Sequence, residues 1–403
     1  MSLSTFKEAF DNSYQQIFQK TLVGKSIANL RFKNTLRFGE SVERVAFDIS
    51  NVRVRSTSRG SASTIDTVAD SSQLLSINLE KEAVFHISDG EVTQAGPLKP
   101  VQNLGGAVGH LVAQDLDARI LYETTNANYT FDNGDLSSGL VSDGTPVTMN
   151  STNVPKMVAR MPAKLRKNHQ VLSNLVWVLD SEGIADLEEY LMGKSIDMAG
   201  SVFRNGYAGK ARQARLYVSE NLTGEAVLNL ATNPSDGNTI TIGGVTWTFK
   251  TTLGTTAGNV KIGGDVDTTR ANLASAINNP GTTSSNYVAL STADEITVSD
   301  TLKLSATNDD TANTLTVVGI GSGALEVSET LTDATDKWDK NFIHSYYGKK
   351  GGIDVVIQNI KTVDMRKTAD RRGTNVFASY LAGIKTFTDG SKRFLDVKVA
   401  KAI

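Results

Sequence analysis

Residues 43–95 constrain the fold more than any other stretch of the chain. Val45, Phe47 and Ile49 alternate with other residues at the period of a half-buried strand. Val52 and Val54 continue on the opposite parity, with Arg53 and Arg55 between them, so a turn or bulge is expected near Asn51. Arg59 to Ser72 (RGSASTIDTVADSS) is small and polar, the composition of a mobile tip. Leu75, Ile77 and Leu79, then Ala83, Phe85 and Ile87, read as the return strand. A two-stranded hairpin of that length has no third layer to cover its apolar face. It must lie against something else.

The flanking segments are less demanding. Residues 1–42 read as an arm: an amphipathic stretch from Phe6 to Leu22, a break at Gly24, then Leu30, Phe32 and Leu36. Pro100 to Glu123 has helical spacing in Leu104, Val108, Leu111, Val112, Leu116 and Ile120. Gly105, Gly106 and Gly109 each cost that helix roughly 1 kcal/mol against Ala. Val154 to Lys167 is a basic helical stretch that Pro162 should kink. Val171 to Leu179 reads as a strand, and Ser181 as the cap of a helix buried through Ile184, Leu187 and Leu191. Arg212 to Val218 is a further strand, Gly351 to Ile360 a helix and Leu395 to Val399 a closing strand.

Composition changes at about Gly224. To about Thr332 the chain is rich in Thr, Asn, Asp and Gly, with short alternating runs. Thr239 to Phe249 reads as a hairpin around Gly243-Gly244. Asp267 to Asn278 is a helix capped by Asp267, and Val288 to Val298, Thr301 to Ala306 and Thr314 to Val318 are strands. This is a compact α+β module inserted in a host domain, as loop tips tolerate. It holds 4 Lys/Arg against 11 Asp/Glu, leaving 37 basic and 32 acidic residues elsewhere. An acidic module in a mildly basic remainder suits two different surroundings.

The chemistry-bearing residues do not converge. The absence of cysteine excludes disulfides, thiolate zinc sites and cysteine nucleophiles. His86, His110, His169 and His344 are scattered, with no metal-helix pair and no selectable Ser–His–Asp set. Two Gly-Lys-Ser triplets occur, at Gly24 and Gly193, but the glycine a phosphate loop needs five residues earlier is Gln19 or Glu188. Gly319, Gly321 and Gly323 are spaced for a turn, not a dinucleotide fingerprint. Asp265, Asp267, Asp309 and Asp310 make oxygen-rich turns without the calcium-loop pattern. No catalytic, cofactor or metal residue is therefore assigned, and no enzyme activity is expected. No apolar run approaches the roughly 18 residues of a membrane span, and Met1 to Phe10 lacks the apolar region of a secretory signal.

The order of arm, long hairpin, long helix, mixed domain, insert and return resembles the major capsid proteins of tailed bacteriophages, the Hong Kong ninety-seven type coat fold. Leu74 to Ile87 followed by Val101 to Tyr122 is similar to that family's extended loop and spine helix. Gly206 to Asn221 (GYAGKARQARLYVSEN) and Asn341 to Ser345 (NFIHS) are similar to the entry to, and return from, the inserted domain of short-tailed phage coats. The resemblance implies an α+β fold with an arm (1–42), an extended hairpin loop (43–95), a peripheral domain with the spine helix (96–150), the first part of an axial domain (151–223), an inserted α+β surface domain (224–335) and a segment that completes the axial and peripheral domains (336–403). It implies a virion shell subunit assembled in the host cytoplasm into hexamers and pentamers. The partners would be itself, portal and scaffolding proteins, packaged double-stranded DNA held without sequence preference, and a decoration protein; no membrane is involved. Arg53, Arg55 and Arg59 would reach a neighbour's carboxylates. Lys156, Arg160, Lys164, Arg166 and Lys167 would face DNA phosphates, or serve as a solvated helix face or in inter-subunit salt bridges. A tail-tube or baseplate subunit with the same insert is the nearest alternative; a glycan-binding or hydrolytic module is a third.

Overall fold

The computed structural model describes residues 22–31, 41–48, 65–88, 98–137, 139–192, 207–211, 214–359, 364–367 and 373–402, with short pieces between 52 and 62. The expected helical arm from Phe6 and the apolar-basic run through Phe32 and Leu36 fall mostly outside these residues. The fold is α+β. The chain divides into two compact units, one built on residues 28–112 and 351–392, the other on 19–27, 113–350 and 393–403.

Along the chain, a short helix α1 (Gly24–Ile27) leads into strand β1 (Ala28–Asn29), then β2 (Ser41–Asp48), β3 (Ala69–Ser76) and β4 (Leu79–Ile87). Helix α2 (Leu98–Tyr122) follows, with β5 (Tyr129–Phe131), α3 (Asn153–Lys167), β6 (Leu175–Leu179), α4 (Ser181–Met192), β7 (Tyr207–Ala211) and β8 (Ala214–Val218). The region of the insert contains β9 (Thr223–Asn229), β10 (Thr239–Ile242), β11 (Val245–Lys250), β12 (Asn259–Lys261), α5 (Val266–Asn278), α6 (Thr292–Ile296), β13 (Leu304–Asp309), β14 (Thr314–Gly319) and β15 (Val327–Glu329). The chain ends with β16 (Lys337–Lys349), β17 (Ile353–Asn359), β18 (Asp364–Lys367), β19 (Thr374–Lys385), α7 (Thr388–Ser391) and β20 (Phe394–Ala400).

In the first unit β19 is the organising strand. β17 and β18 pair along one of its edges, β4 pairs along the other, and β1 joins β17 in parallel. The hairpin is therefore shorter than its sequence suggests. Only β2 and β3 pair, from Ser41↔Ser76 to Asp48↔Ala69. Leu79 to Ile87, expected to belong to the return strand, pairs instead with β19 of the same chain. Gly351 to Ile360, expected as a helix, contains strand β17. Its Ile353, Val355 and Val356 are all buried, so both faces are apolar and the two-residue period that marks a half-exposed strand is missing.

In the second unit one long strand, β16, holds the sheet together. Its first half pairs with β9 and its end with β6, while β20 runs along the opposite edge. β9 carries β14 and β13 outward, so three strands of the insert extend the host sheet. A separate sheet of β10, β11, β12 and β15 covers the other side of the insert core. That core includes Trp247, Phe249, Leu273, Ile277, Leu315 and Trp338. Gly243 and Gly244 both take positive φ, 55° and 81°, as a two-residue hairpin turn requires. Two local expectations change. The helix cap is Asp265, whose carboxylate accepts from the Thr268 N–H, while Asp267 sits in the first turn and pairs with Arg270. Val288 to Val298, expected as a strand, contains α6, started by Ser291 accepting from the Asp294 N–H.

The β16–β20 seam leaves no room at Gly348. A Cβ there would lie 2.3 Å from Cα of Phe394, its backbone partner. Gly348→Ala is expected to lower stability by roughly 1–3 kcal/mol in urea unfolding. Gly264→Ala, where a Cβ meets open space, should change it by less than about 0.5 kcal/mol.

Candidate assembly interface

The hairpin has two unlike faces. On the inner face Leu75 is fully buried with Val356 and Phe387, and Val42 and Ile77 pack against them. Arg44, on the same parity, donates to Asp389 at 2.6 Å and lies over the Phe387 ring. Gln73 donates to the Thr388 hydroxyl at 2.5 Å and accepts the Thr388 N–H. The base of the hairpin is thus fixed to its own chain. On the outer face Val45 and Leu74 stand half exposed. Val45 was expected on a covered face; the buried parity is that of Val42 instead.

Beyond the ladder the apolar exposure increases. Val54 and Ile65 are 105% and 90% exposed, and Val52 and Val68 about half. Of the twelve large hydrophobic side chains exposed among the described residues, six lie on the hairpin, between Val45 and Leu74. Exposed apolar residues are ordinary when scattered; concentration along one projection marks a contact surface.

The three hairpin arginines divide. Arg55, expected to reach a neighbour, forms a bidentate pair with Asp66 across its own hairpin, at 2.7 and 2.8 Å. The Arg53 N–H donates to the same carboxylate at 2.9 Å. The Arg55 guanidinium, and then this N–H, hold Asp66 below the usual carboxylate range. The ion pair continues the strand pairing past Asp48↔Ala69 without backbone ladder bonds. The Arg53 and Arg59 side chains are exposed.

The basic helix α3 is also partly spent inside its own chain. Lys164, expected at a DNA-facing surface, is buried and pairs with buried Asp135 at 2.5 Å. Its ammonium also donates to the Thr130 carbonyl. Arg160 donates to the carbonyl of Ser137, and Lys167 to that of Gly139. These three cations fasten the loop after β5, which Asp132 organises from within by accepting from the N–H groups of Gly134, Asp143 and Gly144. Lys156 and Arg166 are exposed. The loop is rich in glycine and polar residues, and nothing in the spacing of the helix announces that it captures three of the five cations.

A buried charge cluster escaped the sequence because its members are far apart. His344 on β16 contacts Asp396 of β20 through Nδ1, at 2.9 Å, and Glu225 of β9 through Nε2, at 3.1 Å. Burial works against the charged ring, but the Asp396 carboxylate and then Glu225 outweigh it and raise the imidazole to about 9. The cluster ties three strands where the insert meets the host sheet. Among the described residues no group of three His, Cys, Asp or Glu is placed to hold a metal, and no helix is long and apolar enough to cross a membrane.

No family model and no curated protein matches the sequence. Among solved structures, one from Mycobacterium phage Che8 is 11% identical, covering 93% of this chain and 90% of that one, with a TM-score of 0.46. The capsid structure of cyanophage P-SCSP1u is 11% identical over 90% of this chain and 84% of that one, at 0.46. A virus-like particle from Pyrococcus furiosus is 8% identical over 96% and 97%, at 0.41.

His344 sets a pH dependence. Its folded value lies above the ordinary 6.5, so its contribution is complete below that and is lost as pH rises through about 9. Urea unfolding should therefore show roughly 3 kcal/mol less stability near pH 9.5 than near pH 6.5. His344→Gln should lower stability at pH 6.5 and flatten that slope; an unchanged slope would assign the dependence to other groups.

Proposed function

We propose that this chain is the major capsid protein of a tailed phage, a non-enzymatic subunit that assembles with copies of itself into a closed shell around double-stranded DNA. One observation carries the reading: a hairpin anchored to its own chain on one face presents an uncovered apolar face and tip on the other. Its inner contacts fix the direction of projection. Its outer residues gain only when a second molecule covers them, at about 25 cal/mol per Å² of apolar surface removed from water. The order of elements and the phrases of sequence shared with phage coats point to the same assembly.

In this reading the outer face of the hairpin lies on an adjoining copy, with Arg53 and Arg59 available for its carboxylates. Obligate contacts of this kind commonly bury more than about 2,000 Å². Heterologous contacts close into rings, here hexamers and pentamers, and rings tile a shell. The acidic insert faces outward, away from DNA phosphates. Lys156 and Arg166 are the residues of α3 left for non-specific phosphate contact, fewer than the five expected from its sequence. Portal and scaffolding proteins, and a decoration protein on the outside, complete the set of partners.

Electron microscopy of the expressed protein tests the reading; closed icosahedral particles are expected, whereas stacked rings or filaments would indicate a tube subunit. Deleting residues 60–71 should leave the circular dichroism and unfolding of the subunit intact and abolish particles. Normal particles from that deletion would refute the role given to the hairpin.

A further inference from the structure

Asp117, in the C-terminal part of α2, is 1% exposed. Its carboxylate accepts the Gly24 N–H at 2.5 Å, and the Ser219 hydroxyl lies at 3.4 Å. The Asn221 side chain and the Val23 N–H also donate to it, less strongly than the Gly24 N–H. Every one of these donors is neutral. Among the described residues no cation pairs with Asp117; the nearby Lys303 and Arg119 both pair with Asp115. A buried charge compensated only by neutral donors costs free energy that a protonated carboxyl does not.

The group it holds is a docked segment. Leu22, Val23 and Ile27 are buried, and a Cβ on Gly24 would lie 2.8 Å from Cγ2 of Ile120. The segment therefore lies flush on α2, with Asp117 beneath its backbone. The other charged groups on the elements packed here are Lys25, which is exposed, and Glu220, which accepts from Ser181. The glycine-rich turn at residues 319–323, whose Gly321 abuts Ala118, contributes no titratable group.

We propose that Asp117 is a proton-controlled latch: its uncompensated buried charge keeps residues 22–27 weakly docked on α2 at neutral pH, and protonation tightens the docking. The direction is opposite to that of a salt-bridged carboxylate. Burial raises Asp117 from 3.8 to about 6, against the weaker pull of the Gly24 N–H. A carboxyl raised on docking binds its proton more tightly when docked, so docking strengthens as pH falls through about 6 toward 4. Above that range the whole cost of the charge is present. The inference is independent of the shell reading.

Hydrogen exchange of the 22–27 segment in the full chain, corrected for intrinsic rates, tests it. Wild-type protection should rise about tenfold between pH 7.5 and pH 5. Asp117→Asn, which keeps an acceptor for the Gly24 N–H without the charge, should protect the segment at pH 7.5 by up to about a hundredfold more than wild type, with the gap narrowing at pH 5. Protection in the variant no greater than wild type at pH 7.5 would overturn the latch, as would wild-type protection that stays level or falls toward pH 5. Should the variant fail to fold, the wild-type pH series decides by itself.

Discussion

The backbone pairing of β16 is the constraint on which the larger unit rests. Thirteen residues, Lys337–Lys349, give one edge first to β9 and then to β6, and the other edge to β20. The strand enters through Trp338 in the insert core and leaves through Tyr346 and Tyr347 in the host. The insert is consequently no bead on a tether. Its β9, β14 and β13 are outer strands of the host sheet, and His344 pins β9 to β20 through β16 at the joint. A displacement of the insert would have to break ladder hydrogen bonds and expose a histidine paired with two carboxylates, both costly in a dry interior.

Three of the buried carboxylates of this unit show why burial by itself does not fix a group's role. Asp132 faces three backbone N–H groups and a serine hydroxyl and organises a loop. Asp396 faces an imidazole that it helps to keep charged. Asp117 faces only neutral donors, and burial raises it to about 6. The difference lies in the number and charge of the donors that surround each group, which are supplied by residues distant in sequence.

That distance separates what the sequence makes legible from what it hides. Local signals mark the Gly243-Gly244 turn and the long helix α2, whereas Ser181, expected as the cap of α4, is not its cap: Asp180 accepts the Gly183 N–H and the Ser181 hydroxyl donates to Glu220. Val288 to Val298 carries a helix signal within its strand-like run, since Ser291 and Asp294 have the spacing of a helix start. Gly351 to Ile360 is the opposite case: a strand buried on both faces has no alternation to display. The pairing of β4 with β19 joins residues nearly 300 positions apart, and the capture of Arg160, Lys164 and Lys167 by one loop depends on how that loop folds. Neither leaves a local trace.

The hairpin shows the same division. Its sequence shows too much apolar periodicity for a free ribbon, but not which parity is covered. The structure supplies the answer: Val42, Arg44, Gln73 and Leu75 are committed inward, and Val45 and Leu74 are not. The Arg55–Asp66 pair then extends the projection beyond its last ladder bond, with Val54 and Ile65 bare beside it. An isolated two-stranded ribbon is marginal in water, and here the inward contacts and one ion pair offset the cost of displaying apolar residues. A projection held rigid by its own chain and left uncovered on its outer side loses little entropy when another surface meets it. The anchoring of its base therefore lowers the entropic cost of covering the outer face.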